Sequence, residues 1–295
     1  MKARVLAVIV CVMAVVNFAS ADTIRGIGMD FVTIGNAGNA ADNTGMGSVG
    51  YNYRIGKYET TNSQWNTFTA AAGAPTGNDG GYSSSASFTG AQQPTNCVSW
   101  YETLQFCNYL TTGDKSKGAY QFSGDNTNPG NFLGINRTAA QTAYGTIYVI
   151  PTEDEWYKAA YFKPNGSGYS LYANGTNVAP STSDSCYSIY SSPWDVGTGT
   201  MEQNSTFDMM GNLFEWNETL LSFYIPGYGD ITGRGNRGGS YSQPSDYLAP
   251  YGFGIGMPSV ETDWIGLRVA SIPEPTTLLL LGFGALSLIR RKKLA

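Results

Sequence analysis

Gly211-Asn212-Leu213-Phe214-Glu215-Trp216 packs more information about the fold into six residues than any other segment of the chain. It sets the side-chain oxygens of Asn212 and Glu215 beside the backbone carbonyls of Met210, Gly211 and Leu213, a mixed oxygen set that hard cations such as calcium accept. The same residues also read structurally, with Asn212 capping a turn and Glu215 pairing with Arg268 or another base. Downstream, Arg237-Gly238-Gly239-Ser240-Tyr241 and Gly266-Leu267-Arg268 read as core strands, because their glycines permit close approach of backbones.

Upstream, three helix starts carry one device, a hydroxyl residue followed three positions later by Glu or Gln. They are Thr61-Asn62-Ser63-Gln64, Ser99-Trp100-Tyr101-Glu102 and Thr152-Glu153-Asp154-Glu155. After the second, Trp100, Leu104, Cys107 and Leu110 recur at helical spacing, so one face is buried. Glu153, Asp154 and Glu155 invite a glycosidase reading. Neighbouring helical residues do not face one another, however, and the positive end of the helix accounts for the acids. Gly, Ser, Asn and Thr dominate residues 71–93, 124–145 and 165–192, which read as loops.

The chain of 295 residues contains 37 Gly, 20 Tyr and 6 Trp but no His. Without imidazole, Ser-His-Asp triads, Cys-His dyads, HExxH zinc proteases and His-ligated haem are excluded. Between Asp22 and Ile272 stand 21 acidic and 11 basic residues, a net charge of about −10, which makes nucleic acid an unsuitable partner. Gly233 to Gly238 matches GxGxxG without a preceding hydrophobic strand or a following helix, and Asp125 to Gly130 departs from a calcium loop at Thr127 and Pro129.

Taken in order, Tyr53 to Asn62, Pro94 to Trp100, Pro151 to Trp156, Gly211 to Trp216, Arg237 to Tyr241 and Gly266 to Arg268 resemble the formylglycine-generating enzyme (sulfatase-modifying factor) domain. The resemblance runs from about Met29 to Ala270. It implies a compact α+β fold of low regular content, related to C-type lectins, that binds calcium. It also implies a copper-binding cysteine pair after Gly-Gly-Ser-Tyr, where this chain has Gln243 and Leu248. Copper(I) prefers sulfur, so no copper is expected and the oxidase is read as lost. Trp264 likewise replaces an expected Asn. The old catalytic groove is then expected near Trp216, Ser240, Tyr241, Gln243 and Trp264, as aromatic faces and polar rims for a sugar or peptide. The function that follows is a non-catalytic binding or structural protein. The alternative is an enzyme acting outside the cytoplasm, either sulfatase-modifying oxidase-like or of another chemistry that uses Cys97 or Cys186 with a metal.

Both ends read as targeting signals. Lys2 and Arg4, the apolar run Val5 to Val16 and Ala19-Ser20-Ala21 form a signal peptide over residues 1–21, a substrate for signal peptidase. The domain is assigned to 22–271. Residues 272–295 join Pro273-Glu274-Pro275, an apolar segment from Thr276 to Ile289 and a basic tail, which resembles the PEP-CTERM sorting signal. That implies transient anchoring in the inner membrane of a Gram-negative bacterium, cutting by exosortase, and release to the cell surface or an exopolysaccharide matrix, with exopolysaccharide or protein as ligand. Fourteen helical residues rise about 21 Å, short of a hydrocarbon core of roughly 30 Å. Removing the leader leaves Cys97, Cys107 and Cys186. Any disulfide is expected to involve Cys186; otherwise the three are small buried apolar residues.

Overall fold

A computed structural model describes residues 20–77, 87–225, 227 and 229–273. The leader up to residue 19, Glu274, Pro275 and the apolar C-terminal segment lie outside the described residues. Among the described residues no helix is long and apolar enough to cross a membrane.

The five-stranded sheet has the order β1-β2-β3-β11-β6, built from β1 (Ser20–Ile24), β2 (Ile27–Ile34), β3 (Tyr53–Gly56), β6 (Ile147–Val149) and β11 (Ala270–Ile272). Its last strand in sequence, β11, pairs antiparallel with both β3 and β6, so the two ends of the domain meet in one sheet. A four-stranded sheet has the order β10-β7-β8-β9: β7 (Phe214–Ile225), β8 (Gly229–Arg237), β9 (Phe253–Gly256) and β10 (Ile265–Gly266). The short hairpin of β4 (Tyr120–Phe122) and β5 (Phe132–Ile135) completes the strands.

All three hydroxyl-started helices form: α1 (Asn62–Ala72), α2 (Trp100–Thr112) and α4 (Glu153–Tyr161). In each, both halves of the capping box close, through Thr61 with Gln64, Ser99 with Glu102, and Thr152 with Glu155. Such caps contribute about 1 kcal/mol each. The stretch 124–145 differs from expectation, since it contains β5 and a further helix, α3 (Arg137–Tyr144). Asn136 caps α3, but no Glu or Gln stands at its third position and only Ala140 is buried, so neither the cap pattern nor an apolar stripe announced it.

The two glycine-containing stretches also depart from the strand reading. β8 stops at Arg237 because Gly238 and Gly239 take φ of 99° and 75°, and β10 holds only Ile265 and Gly266. Their role is to turn the chain inside the core.

Three tryptophans from three landmarks are fully buried, and each indole N–H finds an acceptor. Trp100 donates to the Asn217 carbonyl at 2.9 Å, Trp156 to Glu215 Oε2 at 2.6 Å and Trp216 to the Val98 carbonyl at 3.0 Å. These bonds lock α2, α4 and β7 together with large apolar surfaces and no unpaired indole. Cys97, Cys107 and Cys186 are free and buried, so of the two alternatives, a bridge involving Cys186 or three small core residues, the structure takes the second.

Candidate functional site

The residues first quoted fold around a single guanidinium. Gly211 has φ of 84°, and a Cβ there would lie 2.2 Å from the Cys186 carbonyl, so only glycine fits. Asn212 follows at φ of 61°, a left-handed conformation that Asn tolerates better than most residues. The chain then enters β7, which points Glu215 inward at Arg268. Arg268, fully buried, gives Nε to both Glu215 oxygens at 2.9 and 3.0 Å and Nη2 to Oε1 at 2.6 Å. Its remaining donors reach the carbonyls of Gly56 at 3.0 Å and Phe207 at 2.8 Å.

Glu59 holds the turn. It accepts Asn212 Nδ2 at 2.6 Å on one oxygen and the Leu213 N–H at 2.9 Å on the other, while Asn212 Oδ1 accepts the Trp194 N–H at 2.8 Å. Calcium therefore does not fit Met210, Gly211, Asn212, Leu213 and Glu215. Glu215 cannot serve a cation without surrendering Arg268, and the amide of Asn212 is already engaged at both ends. Of the two readings of these residues, the structure takes the turn cap and the ion pair.

Carboxylates crowd the same interior. Burial raises Glu59 well above the ordinary range, with the charges of Asp208 and Glu215 adding to the effect. Burial likewise lifts Glu202 to about 8 and Asp208 to about 6. Arg268 opposes the rise in all three, but one guanidinium already paired with Glu215 cannot neutralise three further acids.

The three acids that open α4 go three separate ways. Glu153 pairs with Arg237 and accepts Asn217 Nδ2 at 2.7 Å, Glu155 accepts Arg137 Nη1 at 2.8 Å, and Asp154 accepts the Gly47 N–H at 2.7 Å. Arg137 also reaches Glu218 at 3.0 Å, and Tyr120 donates to the same oxygen at 2.8 Å. The helix end is thus more than dipole compensation: Glu153 and Glu155 anchor buried ion pairs that sequence spacing did not show.

The expected ligand groove is not an open aromatic surface. Trp216 and Ser240 are fully buried, Tyr241 is buried and packs edge-on against Phe88 at 5.4 Å, and the Gln243 carbonyl is tied to the Ser188 N–H at 3.0 Å. Trp264 is exposed, at 37%, and rests edge-on against Phe214, as does the exposed Tyr247 that the sequence also places near this groove. Leu248 is fully buried, and its carbonyl accepts the Tyr161 hydroxyl at 3.0 Å. Nor do the cysteines supply a reactive thiolate. Burial pushes Cys186 up to about 12, raises Cys97 and lifts Cys107 well above the usual range. All three therefore favour the thiol form at neutral pH, and a thiol is a poor nucleophile.

Open space lies elsewhere. Two adjoining cavities of about 590 and 640 Å³ follow α1 and share Ser63 and Thr67. A third, of about 320 Å³, opens between Asp42, Tyr169 and Tyr251.

The chain resembles several solved structures at low sequence identity. Treponema denticola variable protein 1 superposes with a TM-score of 0.59 at 19% identity, over 87% of this chain and 99% of that one. CarF gives 0.60 at 19% identity, over 82% and 97%, and PvdO from Pseudomonas aeruginosa gives 0.57 at 16%, over 86% and 98%. These likenesses establish the α+β fold related to C-type lectins. A curated relative, chaperone protein LppX of Paenibacillus barcinonensis, is 26% identical over 182 residues, 56% of this chain and 61% of that protein. The chain therefore spans about three fifths of that relative's length. Residues 271–293 match the PEP-CTERM protein-sorting motif, a signal for export and surface-directed processing by an exosortase-type partner. Residues 33–272 match the sulfatase-modifying factor enzyme 1-like domain, and with its landmark residues joined around Arg268 the chain belongs to that family.

Proposed function

We propose that this is an exported, surface- or matrix-associated binding protein that uses the sulfatase-modifying-factor scaffold without catalysing the family's oxidation. The observation that carries this reading is Leu248. It fills a core position against Gly239 where the family resemblance calls for a copper-binding cysteine, and Gln243 takes the place of the other. A leucine side chain offers a metal no donor atom, and the remaining thiols are buried and protonated. The domain boundaries follow from the same reading: a leader over 1–21, the binding domain over 22–271 and the sorting signal from 272. The ligand comes from the matrix, an exopolysaccharide or a protein carried within it.

Two measurements test this. Full-length protein in detergent micelles, supplied with copper(I), oxygen and a cysteine-containing sulfatase peptide, is expected to yield no aldehyde by mass spectrometry. The same protein is expected to co-sediment saturably with extracellular matrix from its host. Aldehyde formation, or failure to sediment with matrix, would sink the reading.

A further inference from the structure

The two cavities along α1 form one trough. The first is walled by Gly28 at the β1–β2 hairpin, Asp30, Tyr58 and Gln92, and the second continues past Asn66, Ala70 and Ala91. The first is a half-open hollow, and the second lies shallow on the surface. The helix they follow has 11 residues, a length of roughly 16 Å at the usual rise, so the trough suits a chain molecule lying along it.

We propose that this trough binds a neutral polysaccharide chain, an inference that rests on the binding function proposed above. Charge decides first. Among the described residues Asp30 is the one carboxylate in the lining, and neither cavity is lined by Lys or Arg. Within the lining itself an anionic polymer therefore meets a carboxylate and no basic side chain, the Lys57 ammonium standing outside it over the Tyr58 ring. Hydrogen bonding decides next. Ser63, Asn66 and Gln92 are exposed, and their hydroxyl and amides both donate and accept, as do the hydroxyl groups of a sugar. The floor is small: Ala70 and Ala91 offer none of the deep apolar pockets by which peptide side chains are selected, and the space over Gly28 is clear for 4 Å. At one end the half-buried Tyr58 ring is held against Phe207, with ring centres 5.4 Å apart, and Lys57 Nζ lies 5.3 Å from its centre.

The walls are fixed before any ligand arrives. Gln64 closes the α1 capping box through Oε1, at 2.8 Å from the Thr61 N–H, and spends Nε2 on the Gly28 carbonyl at 2.7 Å. One side chain thus clamps the helix start to the β1–β2 hairpin, and a pre-organised wall lowers the ordering cost of binding.

The test is affinity electrophoresis of the full chain in detergent micelles, through gels carrying dextran, soluble β-1,3-glucan, galactomannan or the anionic polymer alginate. At least one neutral polymer is expected to retard the protein, and alginate is not. Ala70→Trp and Ala91→Trp, both at exposed positions, are expected to weaken retardation at least tenfold with unchanged melting, whereas Trp264→Ala leaves it intact. Absence of retardation by every neutral polymer, retardation by alginate alone, or indifference to both trough substitutions overturns the inference. Co-sedimentation with host matrix separates the two levels. Wild-type sedimentation that both trough variants retain discards the trough and keeps the binding function, while wild-type failure discards both. Trough-dependent sedimentation abolished by protease treatment of the matrix reassigns the site to a protein ligand and overturns the sugar assignment.

Discussion

The interior around Arg268 and the trough along α1 are both rich in polar side chains, and they use them in opposite ways. Around Arg268, Glu59, Asn212 and Glu215 are bonded to other parts of the chain. Along α1, Ser63, Asn66 and Gln92 face solvent. A polar group spent on holding the fold is not available to a ligand, so the residues that identify the family are those least able to bind anything. The trough shares Tyr58 and Thr61 with the landmark stretch Tyr53 to Asn62, but its exposed polar residues Ser63, Asn66 and Gln92 lie outside the six landmarks.

The strongest way to break this contrast is to cut the hub. Arg268→Ala leaves Glu215 buried without its partner and is expected to cost about 3–5 kcal/mol or prevent folding, measured by urea denaturation. A loss below about 1 kcal/mol would mean that the hub does not hold the fold. Leu248→Ala is expected to cost about 2–5 kcal/mol by opening a core cavity, with any shortfall in the same titration showing that Leu248 is loosely packed.

The hub also predicts an unusual pH response. Glu59, Glu202 and Asp208 have raised values in the folded state, so the folded protein keeps protons that the unfolded chain releases near its ordinary carboxyl values. Raising the pH through that window therefore favours unfolding. From these three acids, melting temperature is expected to fall as pH rises from about 5 to 8. Glu155, held below its ordinary value by Arg137 and its hydrogen bonds, works in the opposite sense, but its loss begins only as pH drops toward and below the usual carboxyl range. A steady gain in melting temperature between pH 5 and 8 would contradict the raised set.

Smaller effects sharpen the comparison. Ser99→Ala is expected to cost about 1 kcal/mol through one capping bond. EDTA is expected to shift melting by less than about 1 °C, because the oxygens of Glu215 are committed to Arg268 and Trp156. A larger shift would show that a bound cation stabilises the domain. Ala70→Trp is expected to change stability by less than about 0.5 kcal/mol while weakening polymer binding, the inverse of Arg268→Ala.

Short-range chemistry was legible from residue order. Each Ser or Thr with Glu or Gln three positions on marks a helix start, because the capping box closes within four residues of chain. The spacing of Trp100, Leu104, Cys107 and Leu110 showed a buried face for the same local reason. The absence of His removed whole reaction classes, and the ordered landmarks pointed to the family that residues 33–272 match.

What residue order left open depended on partners far along the chain. Whether Glu215 faces a cation or a guanidinium is decided by Arg268, 53 residues away, and the anchor of Asn212 is Glu59, 153 residues away. Trp216 and Tyr241 looked like a binding surface because an aromatic ring serves a core or a ligand equally well; only the packing of β7 against the Val98 segment buries Trp216, and Phe88 packs against Tyr241 in the turn after β8. The trough was hidden for the opposite reason: the polar residues of α1 show as a site only when the β1–β2 hairpin is brought alongside by Gln64. Local hydrogen-bond closure and composition belong to the sequence by itself; burial, charge partnership and open space belong to the tertiary structure, since each depends on which distant segments are brought within a few ångströms.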